Sequence, residues 1–307
     1  MKKFKPKKKR KILKIIFYLS IIVGTFYYSI NNVFNIKLKS SNEEFIKLLL
    51  NDFNYSEKYN KTNILKKVFN VNPSNILSKT LYYKKKKTNN IVTKYIENPD
   101  KEKVDNPRVY IYNTHQLEGY DLENYSEYNI TPNVLMASYL LKGLLNKENI
   151  NTVVEESNIN DFLSLNGWDY SNSYKASRYF IEDFIKKNPN LDLIIDLHRD
   201  SIPKEKSTVN IDGKNFAKIL FVVGTDYDTY SENLNLANTL NEIIKQKYPS
   251  LTRGVIEKGG RGVNGVYNQD LNNKIILIEC GSNNNTIDEV MNTIIVIKDA
   301  IKEYLGE

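Results

Sequence analysis

Only two histidines occur in the 307 residues, and both follow apolar, β-like runs. His115 stands in "RVYIYNTHQLEGY" and His198 in "NLDLIIDLHRDS". A third run, "NKIILIECG", closes on Glu279, and Glu118 lies three residues beyond His115. Two imidazoles and one carboxylate, with a fourth position open to water, are the donor set of a catalytic zinc site. A further carboxylate beside the metal can take a proton from the water and return it to a leaving amine. Each histidine taken alone reads more readily as a hydrogen-bonded structural residue; the matched pair puts metal ligation level with that reading. Arg199 and Asp200 either support the site from behind or pair with each other. The single cysteine, Cys280, follows Glu279 directly, so no intrachain disulfide is available. Neighbours on a strand point to opposite faces, which makes Cys280 a buried, inert residue rather than a nucleophile. "GGRGVNG", residues 259–265, contains a literal G-x-G-x-x-G, but it leads into a loop and a strand and opens no helix. It is therefore not a dinucleotide site, and a surface or substrate-facing loop is expected.

Those residues need a scaffold that brings strand ends together. Strands are expected at "RVYIYNT" (108–114), "NTVVEE" (151–156), "LDLIIDL" (191–197), "AKILFVVGT" (217–225) and "NKIILIECG" (273–281). Helices are expected between them: 131–149, with Thr131 as N-cap and Pro132 in the first turn; 173–189, stopped by Pro189; 230–249; and 286–305, with Thr286 near its N-cap. Alternation of this kind predicts an α/β fold, a mainly parallel sheet with helices on both faces. Ligands of such sheets bind at the carboxyl ends of the strands. His115, His198 and Glu279 all fall there.

The net charge of +8 is confined to one end. Residues 1–14 carry nine Lys or Arg and no acid, leaving 35 basic against 36 acidic residues in the remainder. A near-neutral body excludes a nucleic-acid partner, and the basicity belongs to a tail. Residues 15–36 then run 22 positions without a charge, enough to span a bilayer. No small-x-small cleavage site follows. The expected organisation is a basic cytoplasmic tail (1–14), a retained transmembrane anchor (15–36), a stalk with short helices near 44–53 and 63–69 (37–104), and a domain (105–307) held outside the membrane. The Lys84–Lys87 run reads as a solvated linker face.

Five blocks in order, "YIYNTHQLEGY", "IIDLHRDS", "LFVVGT", "GVYNQDL" and "ILIECGSNNNTIDEV", resemble the stage II sporulation protein P family over residues 105–305. The resemblance implies a membrane-anchored zinc N-acetylmuramoyl-L-alanine amidase of the cell wall, with endopeptidase activity on crosslinks. It implies a role in forespore engulfment beside a lytic transglycosylase and a membrane scaffold. It places the zinc ligands on His115, Glu118 and His198 and the general base on Glu279; Arg199, Tyr267, Asn268 and Gln269 are read as substrate-binding. Two departures stand out. Asn113 occupies a position where many members carry a histidine. The helix beginning "TPNVLMASY" lacks the acid that related amidases use as a ligand, so Glu118 takes that role. A non-catalytic wall-binding module and a different cell-wall metallopeptidase are the rival readings.

Overall fold

The computed structural model describes residues 18–25, 46–47, 93–99, 103–122 and 130–307. Residues 18–25 are helical and belong to a first unit, Met1–Lys39; the rest belongs to a second, Ser40–Glu307. The basic tail, most of the expected anchor and stalk, and the Lys84–Lys87 run lie outside the described residues. Among the described residues, no helix is long and apolar enough to cross a membrane.

Six strands build the central sheet of the second unit: β1 (Val109–Tyr112), β2 (Thr152–Val154), β3 (Leu193–Asp200), β6 (Ile219–Gly224), β7 (Thr252–Lys258) and β8 (Ile275–Ser282). Between β3 and β6 a separate hairpin forms, β4 (Thr208–Ile211) and β5 (Lys214–Ala217). The sheet order is β2-β1-β3-β8-β6-β7. β2, β1, β3 and β8 run parallel. β6 and β7 are parallel to each other but antiparallel to β8. The expected mainly parallel sheet is thus present, with one reversal at the β8–β6 seam. β7, the β4–β5 hairpin and a short helix, α2 (Ile159–Leu165), were not among the sequence expectations.

Helices α1 (Val134–Lys147), α4 (Tyr230–Lys247) and α5 (Ile287–Tyr304) cover one face. There Ile111, Ile195, Leu197, Phe221, Ile276 and Ile278 pack against residues such as Leu140, Leu240 and Ile294, all buried. Helix α3 (Ser173–Lys187) covers part of the other face, packing Ile181 and Phe184 on Tyr110, Tyr112, Ile194 and Ile275. Past α3 the cover is a loop whose Tyr267 lies on Leu220, Val222 and Leu277. The α1 cap is Asn133, whose side chain accepts from the Met136 N–H, and not Thr131. Thr286 caps α5 in a reciprocal capping box with Glu289. Ile46 and Ile96, from the region read as stalk, are buried in the main core.

Candidate active site

Strand pairing fixes two of the chemical residues directly. His198 and Glu279 are partners across β3 and β8. Both strands run past these residues, so His198 and Glu279 sit on the sheet face near the strand ends rather than beyond them. Period-two alternation gives Asp196, His198 and Glu279 the face under α3, and sends Cys280 into the opposite core. Burial raises the Cys280 thiol pKa strongly, as expected of an inert cysteine. One residue further the register slips, from His198–Glu279 to Asp200–Ser282. The extra residue makes a bulge in β8, where Gly281 takes φ 71°. A Cβ at Gly281 would meet Asn285 Oδ1 at 2.7 Å and Ala217 Cβ at 2.8 Å.

His115 arrives from the turn after β1. The Glu118 N–H donates to the His115 carbonyl at 3.0 Å, closing the turn that carries both residues. The strap 93–99 holds this turn from outside: Thr93 Oγ1 donates to the Leu117 carbonyl. Gly119 must lack a side chain there, since a Cβ would lie 2.4 Å from Thr93 Cγ2. Gln116 ties the turn to the next segment, donating to Ser157 O at 2.8 Å and accepting from Ile159 N–H at 2.8 Å. Tyr120 donates its hydroxyl proton to the Cys280 carbonyl at 3.1 Å, fastening the loop to β8.

The two imidazoles meet edge to face, 5.3 Å between centroids. Glu118 Oε2 lies 3.5 Å from Nδ1 of His198. Asp196 Oδ1 lies 2.9 Å from His198 Nε2, out of line for a good hydrogen bond. Two tyrosines complete the wall: Tyr170 stacks on His115 at 4.6 Å, and Tyr174 lies parallel to His198 at 6.3 Å. Tyr170 is 56% exposed, at the rim. Sequence reasoning missed Asp196, Tyr170 and Tyr174. Only Asp196 carried a readable signal, the Asp-x-His spacing on a strand.

Electrostatics separate the groups. Burial and the neighbouring His198 lower the His115 pKa to about 4, so its ring is neutral at pH 7. Burial works against charge on His198 and Glu118 alike. Asp196 and Glu118 nevertheless raise His198 well above the ordinary range, and His198 and His115 hold Glu118 below its own. Burial pushes Glu279 up to about 7, with Glu118 and Asp200 adding to it against His198. Glu279 Oε2 and His115 Nδ1 are buried without a hydrogen-bond partner. Buried polar atoms are ordinarily satisfied, so each such atom asks for one.

His115, Glu118 and His198 are the residues that could hold a metal. Among the described residues, no three acid, imidazole or thiolate groups converge as a finished cage. The donor chemistry fits zinc all the same: a neutral His115 with an orphaned Nδ1, and a carboxylate and imidazole already in contact. Metal uptake would displace the His198 proton.

The remaining expected residues serve other atoms of the chain. The Arg199 backbone N–H donates to Glu118 Oε2 at 3.2 Å, and its Nε to the Gly119 carbonyl at 3.0 Å, so Arg199 positions the Glu118 loop. The Asp200 carboxylate pairs with Arg253 at 2.8 Å, while the Arg199 guanidinium donates to the Asp200 backbone carbonyl at 3.2 Å. Asn268 donates to the Tyr174 carbonyl and Ser177 Oγ, both at 3.0 Å. Gln269 bonds the Val222 carbonyl and the Gly224 N–H at the end of β6. Tyr267 alone of that trio meets the site wall, edge-on to Tyr174 at 5.5 Å. The glycine loop 259–265 wraps Asp226, whose carboxylate accepts from Gly260 N–H at 3.0 Å.

The family model of stage II sporulation protein P matches residues 27–302. The stage II sporulation protein P of Bacillus subtilis (strain 168) is 35% identical over 205 residues, 64% of this chain and 50% of that protein. The chain thus spans about half the length of the curated relative it matches. Among solved structures, an N-acetylmuramoyl-L-alanine amidase from Clostridium difficile 630 is similar at TM-score 0.36 and 16% identity, over 66% of this chain and 99% of that one. The amidase Ami1 from Mycobacterium smegmatis gives TM-score 0.36 and 11% identity, over 67% and 99%.

Proposed function

The chain belongs to the stage II sporulation protein P family, and on that premise we propose that it is a membrane-anchored, zinc-dependent peptidoglycan hydrolase of sporulation. Its bond is the amide between N-acetylmuramic acid and L-alanine, with peptide crosslinks as a second substrate. The uncharged span 15–36 anchors it, with the tail cytoplasmic and the domain outside. Its partners are a lytic transglycosylase and a membrane scaffold of the engulfment machinery.

The observation that carries the reading is the meeting of His115, Glu118, His198 and Glu279 at one end of three parallel strands. His115, Glu118 and His198 would hold the metal. Zinc, when bound, polarises a carbonyl and acidifies water. Glu279 moves the protons: buried, with a pKa near 7 and an unpartnered Oε2, it takes one from the attacking water and returns it to the departing amine. Burial, with Glu118 and Asp200 adding to it, keeps that pKa high enough for return of the proton. Tyr170 shields His115 from solvent on one side. A wall-binding module without catalysis would have no use for a buried, unsatisfied carboxyl group, which costs about 1–3 kcal/mol or more.

The test is metal dependence. Chelation should abolish hydrolysis of purified sacculi, and added zinc should restore it. His198→Ala should lose both zinc and activity. A His198→Ala protein that keeps one zinc per chain would place the metal elsewhere.

A further inference from the structure

We infer that Asp196 is the positioning residue of this site, one buried carboxylate that sets both imidazoles relative to each other and decides which nitrogen of His198 faces the metal. The inference rests on the metal-site reading above. Asp196 has no exposed surface. A carboxylate in such a place is costly unless it is hydrogen-bonded. Its partners are specific. Oδ1 accepts from the Thr114 N–H at 3.0 Å, and Oδ2 from Thr114 Oγ1 at 2.8 Å. Thr114 is the residue before His115, so this grip fixes the start of the turn that carries the first imidazole.

The same Oδ1 stands 2.9 Å from Nε2 of His198, two residues along β3 on the same face. One carboxylate therefore touches the supports of both rings. Its cradle is itself anchored: Thr114 Oγ1 lies 3.0 Å from Ser177 Oγ on α3, and Ser177 Oγ accepts from Asn268 at 3.0 Å. Asn268 thus acts on the site from behind, through Ser177 and Thr114.

The chemistry follows from what a carboxylate tolerates. An anion 2.9 Å from Nε2 favours a proton there. In a neutral imidazole the lone pair then belongs to Nδ1, the nitrogen that faces Glu118. Asp196 so commits His198 to ligation through Nδ1, beside the carboxylate ligand. Carboxylates behind metal-bound imidazoles act in this way generally.

Zinc affinity of the full chain in detergent, by competition with a chromophoric chelator, tests this together with nitrogen-15 spectra of the two histidines. The wild type should show His198 protonated at Nε2 and metal-bound at Nδ1. Asp196→Asn and Asp196→Ala should bind zinc about 10- to 100-fold more weakly. Thr114→Val loses one arm only; it should weaken binding less and leave the His198 pattern unchanged. Circular dichroism identifies variants that fold, and Asp196→Asn, which keeps the size and the Thr114 N–H acceptor, serves if the alanine variant does not. A folded Asp196→Asn with wild-type affinity, or a wild type with zinc on Nε2, overturns the inference and leaves the metal site standing. A wild type that binds no zinc overturns both.

Discussion

At the scale of single residues, the proposed chemistry divides between two glutamates. Glu279 has a raised pKa and a free buried oxygen, while Glu118 is held ionised against His198. Glu279→Gln keeps the size and removes the proton acceptor. Zinc content and fold should persist while kcat falls about 10²–10⁴-fold. Glu118→Gln removes a donor instead, so zinc occupancy should fall first. Metal analysis beside single-turnover rates measures both; zinc lost by Glu279→Gln and kept by Glu118→Gln would exchange the assignments. The meeting of these residues was readable in the chain because rarity carries information: with two histidines, their neighbours are few. Tyr170 and Tyr174 were not readable among 22 tyrosines, since only tertiary packing distinguishes the pair that covers an imidazole. Asn268 and Gln269 looked like substrate ligands because polar residues in a loop near a site invite that reading. Their amides bond the backbone of β6 and the start of α3.

At the scale of elements, the bulge in β8 shapes the backbone just after Glu279. Gly281 needs a left-handed backbone and has no room for a Cβ, so Gly281→Ala combines strain with a clash and should cost about 1–3 kcal/mol. Gly213, at φ 78° with open space around its Cβ position, isolates the backbone cost. Gly213→Ala should therefore destabilise less, by about 1 kcal/mol. Urea denaturation midpoints compare the two; equal losses would remove steric crowding at the bulge as a cause. The unanticipated elements have physical reasons. β7, "TRGVIEK", is an edge strand broken by Gly254 and charged at both ends, which blurs its alternation. Its neighbour β6 is uniformly apolar, and an apolar run does not record direction, so the reversal against β8 had no signature. The β4–β5 hairpin did carry one, an Asp212-Gly213 turn with both residues at positive φ. The α1 start moved because Asn133 competes with Thr131 as a cap and is the one placed to reach the Met136 N–H.

At the scale of the whole molecule, the proposed orientation rests on charge separation. A basic tail before an uncharged span should hold the N-terminus in the cytoplasm and the enzyme outside. Protease added to intact protoplasts should then digest the domain and spare the tail; a protected domain would refute the topology. Within 37–104, read from the sequence as a stalk with short helices, Ile46 and Ile96 enter the core and Thr93 supports the His115 turn. Truncation at residue 105 should consequently weaken the His115 turn and, on the proposed topology, release the protein from the membrane. The bond that is cut defines the proposed enzyme. Mass spectrometry of purified sacculi, digested with the zinc-loaded full chain, reads it directly. Released stem peptides with free L-alanine amino termini, and glycan strands that keep their lactyl groups, are expected, all absent with Glu279→Gln. Sacculi left intact by the zinc-loaded protein, or fragments cut only within the glycan, would contradict the proposal.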